Sequence, residues 1–417
     1  MNHQRILKNH LKEPQKGAVF IMVAAAMLAL LGFAALAIDV GFLMASRNEL
    51  QNAADAGALA GARVLYNDTG TAVNPGANQV AYDTAIRNKS MNEPVEVNWS
   101  GENTGDVQRG HWCFANKTFT PNDSLDPVDL WDVSNEELDS NMDFINAVRV
   151  TARREATPVA AFFARIFGKD DFAVMADAVA YLGFTGTLQP GEVDQPIVLC
   201  DTAVTDATGE YSCTIGRMLD TNMQTGAWTS FEQPCSGAAN AGEIAQLTCS
   251  GGNPEPIALG DSMTTTEGTV ASAYQNLLAC WKDYISVNGY TPWEITLPVI
   301  ACNDDGPIGN CNTPKGAVTV NLLWMTGTGQ PKWKDAPTVM GDWDASQADD
   351  ITDVNDGEQR WVSFVNHFNL DVDLQDTKKG FLSKAMYFKP NCEPHEMKGR
   401  SGGENFGILA KIPALVQ

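Results

Sequence analysis

The sequence has little positive charge and very little histidine. Only 28 Lys and Arg residues stand against 51 Asp and Glu, which gives a formal net charge of −23 at pH 7. This excess argues against nucleic acid as the main partner, because phosphates would repel it. Five histidines in 417 residues argue against a histidine-rich metal enzyme. With 44% hydrophobic residues the chain can bury a sizeable core, so we exclude wholesale disorder.

Motifs that carry catalysis are also missing. The sequence has no G-x-S-x-G elbow, no Walker loop and no H-E-x-x-H zinc motif. Its nine cysteines include no C-x-x-C pair, which weakens the case for a zinc or redox centre. His111, His367 and His395 lie far apart in sequence, so we interpret each as a surface or packed residue. We therefore predict no catalytic, cofactor-binding or metal-ligating residues and no enzyme activity.

A long uncharged stretch dominates the N-terminal region. The 22 residues Gly17–Ile38 would span about 33 Å as a helix, enough to cross a hydrocarbon core of about 30 Å. Residues 1–16 carry four basic side chains and one acidic side chain, whereas the rest of the chain is acidic. Because positively charged flanks stay in the cytoplasm, we predict a transmembrane helix over 17–38, a cytoplasmic head over 1–16 and a translocated body.

Two other interpretations of this stretch stay open. Ala35-Leu36-Ala37 matches the cleavage pattern of a signal peptide, although the apolar run exceeds the usual length of about 7–15 residues. The stretch could also be a buried helix of a soluble protein, but it has no polar face. A retained membrane helix is the interpretation that we favour.

The helical pattern continues beyond Ile38 to Tyr66. This part is rich in alanine and has no proline, so we predict an amphipathic helix over 39–66. Small side chains allow another helix to approach closely. Their face therefore packs on the chain's own body or receives a partner helix, including one from a second copy. The residues of this face are Leu43, Leu50, Ala53, Gly57, Ala60 and Val64.

The residues around this helix resemble a known family. The carriers of the resemblance are Lys16-Gly17-Ala18-Val19, the apolar run, Ile38-Asp39-Val40-Gly41 and the run LQNAADAGALA at 50–60. Together they resemble the N-terminal region of TadG-like proteins of the Tad (Flp) tight-adherence pilus-assembly family, and residues 147–182 resemble a later segment. The resemblance implies a bacterial inner-membrane location, a periplasmic body and partners among other Tad/Flp pilus-assembly proteins.

The sequence departs from the motifs of related proteins at two places, and each departure argues against one possible function. Pilin-like relatives carry a glutamate after Gly and four apolar residues, but here Met22 follows Gly17 at that distance. This difference favours a stable anchor over a filament subunit. Many TadG-like proteins carry a von Willebrand A-type metal motif, D-x-S-x-S. Here Asp201 is followed by Ala203 where a serine ligand is needed, so we predict no intact metal site.

The rest of the chain predicts two α+β domains. A turn-rich segment at 183–196 separates a small domain over 70–185 from a β-rich domain over 197–417. In the first domain we predict strands at Ala147–Thr151 and Phe172–Tyr181 around a helix at Val159–Phe167. In the second domain we predict a helix and buried strands, at 269–284, 197–199, 295–301 and 317–325.

Cysteine placement indicates disulfides in the second domain. Eight of the nine cysteines lie between 200 and 392, whereas Cys113 stands apart and is the predicted unpaired thiol. Short intervals favour local pairs, although spacing does not fix the connectivity, and Cys280 could join Cys302 or Cys392. The predicted local pairs are Cys200–Cys213, Cys235–Cys249 and Cys302–Cys311. Disulfides need an oxidising compartment, which agrees with a translocated body.

Taken together, the sequence predicts an α+β protein with a transmembrane helix, an amphipathic continuation and a disulfide-containing periplasmic body. The predicted function is that of a membrane-anchored, non-enzymatic component of Tad/Flp pilus assembly or of its secretion channel. A minor pilin, pseudopilin or surface adhesin stays open as the alternative. A calcium-dependent binding module is the second alternative, since Asp353, Asn355 and Gly357 weakly echo a calcium loop, although Glu358 stands where a glycine is needed.

Overall fold

A computed structural model describes most of the chain. The described residues are 16–67, 72–126, 128–131, 133–219, 225–266, 270–302, 308–327, 333–374, 380–393 and 395–416. The predicted head over 1–16 therefore lies outside them, except for Lys16.

The helices of the described ranges differ greatly in length. They are α1 (Lys16–Arg63), α2 (Ala77–Ala85), α3 (Asn135–Ser140), α4 (Ala241–Leu247), α5 (Ala271–Val287) and α6 (Gly357–Phe368). Three of the shorter helices begin at a polar cap, because the side chains of Ser134, Asn240 and Asp356 each accept a hydrogen bond from a backbone N–H of the first turn. Single 3₁₀ turns occur at Ala164–Phe167, Asp201–Ala203 and Trp333–Asp335.

The strands are mostly short. In chain order they are β1 (Lys89–Ser90), β2 (Glu93–Pro94), β3 (Val107–Cys113), β4 (Thr118–Pro121), β5 (Ala147–Ala160), β6 (Asp171–Tyr181), β7 (Phe184–Thr185), β8 (Thr187–Leu188), β9 (Ile197–Cys200), β10 (Arg217–Leu219), β11 (Gly226–Thr229), β12 (Ile257–Ala258), β13 (Met263–Thr266), β14 (Trp293–Ile300), β15 (Cys311–Asn312), β16 (Pro314–Met325), β17 (Val339–Met340), β18 (Trp343–Asp344), β19 (Met386–Pro390), β20 (His395–Gly403), β21 (Ile408–Ile412) and β22 (Ala414–Leu415). Most of them belong to two sheets, of five and eight strands.

Helix α1 is one unbroken helix of 48 residues, about 72 Å long. It joins the predicted transmembrane helix to the predicted second helix, because no proline interrupts residues 16–63 and alanine is frequent there. The predicted long apolar N-terminal helix is confirmed. Its end at Arg63 precedes the predicted end at Tyr66.

The first domain is a five-stranded sheet covered by helices. The strand order is β22-β6-β5-β3-β4, and neighbouring strands are antiparallel. The second half of α1 and the short helix α2 pack together on one face. Small side chains dominate this core and let the helices lie close to the sheet: Ala53, Ala54, Ala58, Ala62, Ala77, Ala81, Ala85, Ala152, Ala176, Ala178 and Ala180 are buried.

The predicted helix at Val159–Phe167 is wrong. Strand β5 continues to Ala160 because Val159 pairs with Phe172 of β6, so the two strands form a long hairpin rather than a strand–helix–strand unit. The hairpin tip holds only the 3₁₀ turn Ala164–Phe167, which ends at Gly168 with a positive φ of 77°. Another difference concerns the far end of the chain. There β22 pairs with β6 and returns residues 414–415 to the first sheet.

The second domain is built on the eight-stranded sheet, with the order β10-β19-β16-β14-β9-β11-β13-β15. Strands β9 and β14 run parallel, and the other neighbours are antiparallel. The predicted strands at 197–199, 295–301 and 317–325 correspond to β9, β14 and β16, and the predicted helix corresponds to α5. Large aromatic side chains fill the core; those with the least exposure are Trp228, Trp281, Trp361, Tyr274, Tyr387 and Phe364.

Four disulfides cross-link the second domain. They are Cys200–Cys302, Cys213–Cys392, Cys235–Cys311 and Cys249–Cys280, whereas Cys113 is free and buried. The predicted local pairing is therefore wrong, as are both partners considered for Cys280. The reason is topological, because strands that lie side by side in this sheet are distant in sequence. Cys200, for example, ends β9 beside Ile300 of the parallel β14, two residues before Cys302.

Candidate functional site

The first half of α1 is apolar and uncovered. From Val19 to Ile38 its side chains are exposed or half-exposed, and Phe20 and Phe33 are 77% and 72% accessible. The helix is long and apolar enough to cross a membrane, and the body of the protein covers none of its most apolar window. These properties are compatible with a single-pass anchor with its predicted ends at Gly17 and Ile38.

The body first meets α1 at Asp39, directly after the apolar run. The Asp39 side chain is only 5% exposed. Its carboxylate accepts hydrogen bonds from the backbone N–H groups of Phe162 at 2.8 Å, Phe163 at 3.0 Å and Ala164 at 2.7 Å. One turn along the helix, the rings of Phe42 and Phe162 lie 4.7 Å apart. The hairpin tip is thereby attached to α1 at the point where the apolar run ends.

The small-residue face of α1 packs on the protein itself. Leu50 and Ala53 are fully buried, and Gly57 lies so close to α2 that a Cβ atom there would be 2.9 Å from the carbonyl oxygen of Ala81. Leu43, Ala60 and Val64 are half-buried. Leu50, Ala53 and Gly57 of this face therefore pack on the chain's own body, whereas a partner helix or a second copy on the half-buried residues stays a prediction.

Polar contacts fix the same half of α1 to the body. The hydroxyl of Ser46 lies 2.8 Å from that of the buried Ser90, and the Arg154 guanidinium donates to the Ser90 carbonyl oxygen at 2.5 Å. Farther along, the Gln51 amide donates to the carbonyl oxygen of Asp177 at 3.1 Å. The second half of α1 is therefore an integral part of the first domain rather than a linker.

Asp201, the first residue of the metal motif considered from the sequence, forms an ion pair. The Lys315 ammonium lies 3.0 Å from its carboxylate and 2.8 Å from the carboxylate of Glu404. Desolvation by burial lowers the pKa of Lys315, but the hydrogen bonds to Glu404 and Asp201 outweigh it and leave the pKa raised. The described residues hold no cluster of His, Cys, Asp and Glu that could bind a metal ion.

A cavity of about 780 Å³ lies beside this ion pair, between the two domains. Asp201, Lys315 and Glu404 line one side, and Asp139 and Tyr181 line the other. The Asp139 carboxylate accepts hydrogen bonds from the backbone N–H groups of Phe114 at 2.5 Å and Ala115 at 2.9 Å. It thereby joins α3 to the segment that follows β3. The charged groups named here are engaged with other groups of the protein.

Two of the three histidines considered above contact other groups of the chain. His111 is buried, with its ring nitrogens 2.8 Å from the carbonyl oxygens of Phe144 and Asp139, and His367 lies 3.0 Å from Asp342. The side chain of His395 lies outside the described residues.

In the segment that weakly resembles a calcium loop, the Asp353 carboxylate accepts a hydrogen bond from the backbone N–H of Asn355. Asp356, which follows Asn355, caps the N-terminus of α6. Asp371 pairs with Arg217.

Sequence reasoning missed the role of Asp39 and of the hairpin tip. The sequence predicts an apolar helix over Val159–Phe167, because its apolar residues are close together. Two signals could have indicated an exposed turn: Arg165 interrupts the apolar residues, and Gly168 closes the segment. The role of Asp39 has no local signal, since its partners lie more than 120 residues farther along the chain.

Two family models match the N-terminal part of the chain. Residues 17–64, which cover nearly all of α1, match the family of TadE/G-like Flp pilus-assembly proteins, and residues 60–180 match the family of Tad-like Flp pilus-assembly proteins. The two matches cover about two-fifths of the chain and end within β6. No curated protein and no solved structure matches the chain. Residues 17–180 thus match two Flp pilus-assembly family models in succession, in agreement with the resemblance to TadG-like proteins described above.

Proposed function

We propose that this protein is a single-pass inner-membrane component of Tad/Flp pilus assembly or of its secretion channel, and that it acts without catalysis. The family domains indicate a role in Tad pilus assembly. The observation that carries the anchor is the uncovered apolar half of α1, which needs an apolar environment. The missing catalytic motifs and the ion pair at Asp201 support a non-enzymatic role.

The proposed topology places the N-terminus in the cytoplasm and the body in the periplasm. Two observations support it. The basic residues lie on the N-terminal flank of the apolar run, where they favour the cytoplasmic side. The second domain carries four disulfides, which form and persist in an oxidising compartment such as the periplasm.

In this proposal α1 serves as both anchor and scaffold. Its 25 residues from Asp39 to Arg63 extend about 37 Å beyond the apolar run and form the helical layer of the first domain. Because the helix does not break, the body stays at a set distance from the bilayer. The second domain would then be presented to other pilus or secretion-channel proteins at a defined distance from the membrane.

The mature N-terminus and the membrane association of the native protein test this proposal together. We expect an uncleaved chain, measured by intact mass, that stays in the inner-membrane fraction after carbonate extraction. A chain that begins at Ala18 and is recovered in sheared filaments would instead establish the minor-pilin alternative. A soluble chain that begins near Ile38 would contradict both and indicate a secreted protein.

A matched pair of variants tests the anchor directly. Leu28 lies in the middle of the apolar run and is 71% exposed in the isolated chain. Leu28→Arg should weaken membrane insertion, since an arginine at the centre of a membrane helix costs about 2.5–3.5 kcal/mol on insertion scales. Leu28→Ile keeps the apolar surface and should leave the carbonate-resistant fraction unchanged. Equal behaviour of the two variants would contradict the anchor.

A further inference from the structure

The tip of the hairpin between β5 and β6, residues 161–168, exposes a large apolar surface. Phe162, Phe163, Ile166 and Phe167 are 57%, 38%, 78% and 84% accessible. A cluster of this kind on a folded domain marks contact with another apolar phase or with a partner. Met175 of β6 adds further exposed apolar area, at 63% accessible.

The direction of β5 shows where this surface lies. A Cβ atom on Gly61 would meet Val148, and one on Gly57 would meet Val150, so β5 begins beside the far end of α1. It then runs back along the helix toward the apolar run, and the tip reaches Asp39. The tip is therefore the part of the first domain that contacts α1 closest to the apolar run.

The tip is held firmly in this position. The Asp39 carboxylate accepts three backbone N–H groups of the tip, and the ring of Phe162 packs on Phe42. The apolar run of about 33 Å matches a hydrocarbon core of about 30 Å, so residues 38–39 mark the edge of the core. A rigid apolar tip is thus placed level with this edge.

We propose that the hairpin tip inserts Phe162, Ile166 and Phe167 into the interface of the bilayer that α1 crosses, as a second membrane contact of the body. The proposal rests on the single-pass anchor proposed above. Phenylalanine and other large apolar side chains of interfacial segments are buried at the boundary between the headgroups and the acyl chains. Together with α1, the tip would fix the tilt and rotation of the body relative to the membrane plane, which one helix alone leaves free.

The charges around the tip favour lipid over a protein occupant. Arg165 and Lys169 are exposed among the apolar side chains, where they suit anionic headgroups. The acidic residues Asp170 and Asp171 follow the tip in sequence. They pair with Ala161 and Ala160, where β5 ends and β6 begins. Basic residues are thus interleaved with the apolar ones, and the acidic residues lie one step farther from the tip.

Lipid quenching of a fluorophore on the tip tests the proposal. The full chain with Cys113→Ala, which removes the free thiol, would be reconstituted into vesicles of phosphatidylethanolamine and phosphatidylglycerol. Nitroxide on the shallow part of the acyl chains serves as the quencher. The label would be placed at Phe167→Cys, with Leu36→Cys in the apolar run as a positive control and Val287→Cys, at an 82% exposed site on α5, as a negative control.

We expect quenching at positions 36 and 167 to be several-fold stronger than at position 287. Strong quenching at 36 with position 167 no different from 287 would overturn the tip proposal and leave the anchor intact. No quenching at either 36 or 167 would refute the anchor itself. A label at 167 that is shielded from aqueous iodide but not quenched by the lipid would show a protein occupant, and it would also overturn the proposal.

Discussion

The two domains of this protein are stabilised in different ways. The first packs α1 and α2 on a five-stranded sheet through alanines and glycines, and its described residues form no disulfide. The second packs large aromatic side chains on an eight-stranded sheet and is cross-linked by four disulfides. The family matches lie on α1 and the first domain and end before the second domain begins.

This difference follows from the position of each domain relative to α1. Backbones can approach closely only where side chains are small, and the first domain is built around the second half of the helix that also carries the apolar run. The second domain does not share that helix and gains rigidity from covalent cross-links instead. The first domain is therefore held together by close helix packing and the second by disulfides. Each of the following experiments perturbs only one of the two domains.

Removing one disulfide should produce the largest difference between the domains. The Cys200–Cys302 bond closes a loop with a sequence separation of 102 residues. In the chain-entropy model a loop of about 100 residues contributes about 4.7 kcal/mol, so the double variant Cys200→Ala, Cys302→Ala should lose roughly that much stability in the second domain alone. Hydrogen exchange of β14 and β16 should accelerate strongly while β5 and β6 stay protected.

The free thiol provides the control for this experiment. Cys113 is buried in the first domain without a disulfide, so Cys113→Ala should cost only about 1 kcal/mol and leave β14 and β16 unaffected. Equal loss of protection in both domains of the disulfide variant would show that they unfold as one unit and would remove the basis of the comparison.

A single methyl group should disturb the helix-bound domain. Gly57→Ala would place a Cβ atom 2.9 Å from the Ala81 carbonyl oxygen and 3.0 Å from the Ala85 Cβ. Overpacking costs about 1–3 kcal/mol and the better helix propensity of alanine returns about 0.5–1, so we expect a net loss of about 1 kcal/mol, and at most about 2.5, in the first domain. Hydrogen exchange of the full chain in increasing denaturant, measured on proteolytic peptides that cover β5 and β6, gives this value.

The matched control lies on the same helix. Gly41 has no atom within 4 Å of an added Cβ, so Gly41→Ala should keep or slightly raise the stability of the first domain. If both glycine variants behaved alike, close packing of α1 would not be what holds the first domain together.

The success of sequence analysis also differs between the two regions. Local patterns predicted the long helix and the strands β9, β14 and β16, because continuous hydrophobicity and bounded apolar runs depend on neighbours in sequence. The disulfide partners could not be predicted in this way, because they become neighbours only on folding. Three pairs follow sheet order and join residues separated by 76 to 179 positions, and the fourth, Cys249–Cys280, joins the end of α4 to α5.

The candidate site shows the same limit. The sequence indicated the small-residue face of α1 but not which surface covers it, and the structure covers it with α2 and the sheet. Asp39 belongs to a quoted motif, yet its function depends on a hairpin tip that becomes its neighbour only on folding.

Asp39→Asn should loosen the contact between the anchor and the first domain. The variant keeps an acceptor but loses the charge that strengthens three N–H bonds, so amide exchange at Phe162–Ala164 should become several-fold faster with little change elsewhere. Asp55→Asn is the matched control, because Asp55 lies on the same helix and accepts from the Gln51 side chain. Unchanged exchange at the tip in Asp39→Asn would show that Phe42 and the strand pairing suffice to hold it.

The smallest expected effect is a pH dependence confined to residues 155–157 of β5, where the pairing with β6 shifts register shortly before the tip. Burial opposes ionisation of Glu96, but hydrogen bonds from Thr157 and from the N–H groups of 155–157 outweigh it and lower the pKa of Glu96 to about 2. The pKa is lower in the folded state than the usual 4.5, so the stabilisation is complete above about pH 4.5 and is lost as the pH falls toward 2. Exchange at 155–157, corrected for the intrinsic rate, should rise over this range in the native protein. It should already be raised at neutral pH in Glu96→Gln, and the control Glu93→Gln, at an exposed site on β2, should follow the native profile. If the exchange rates of the native protein stayed constant down to pH 2, the Glu96 carboxylate would contribute nothing to the stability of residues 155–157.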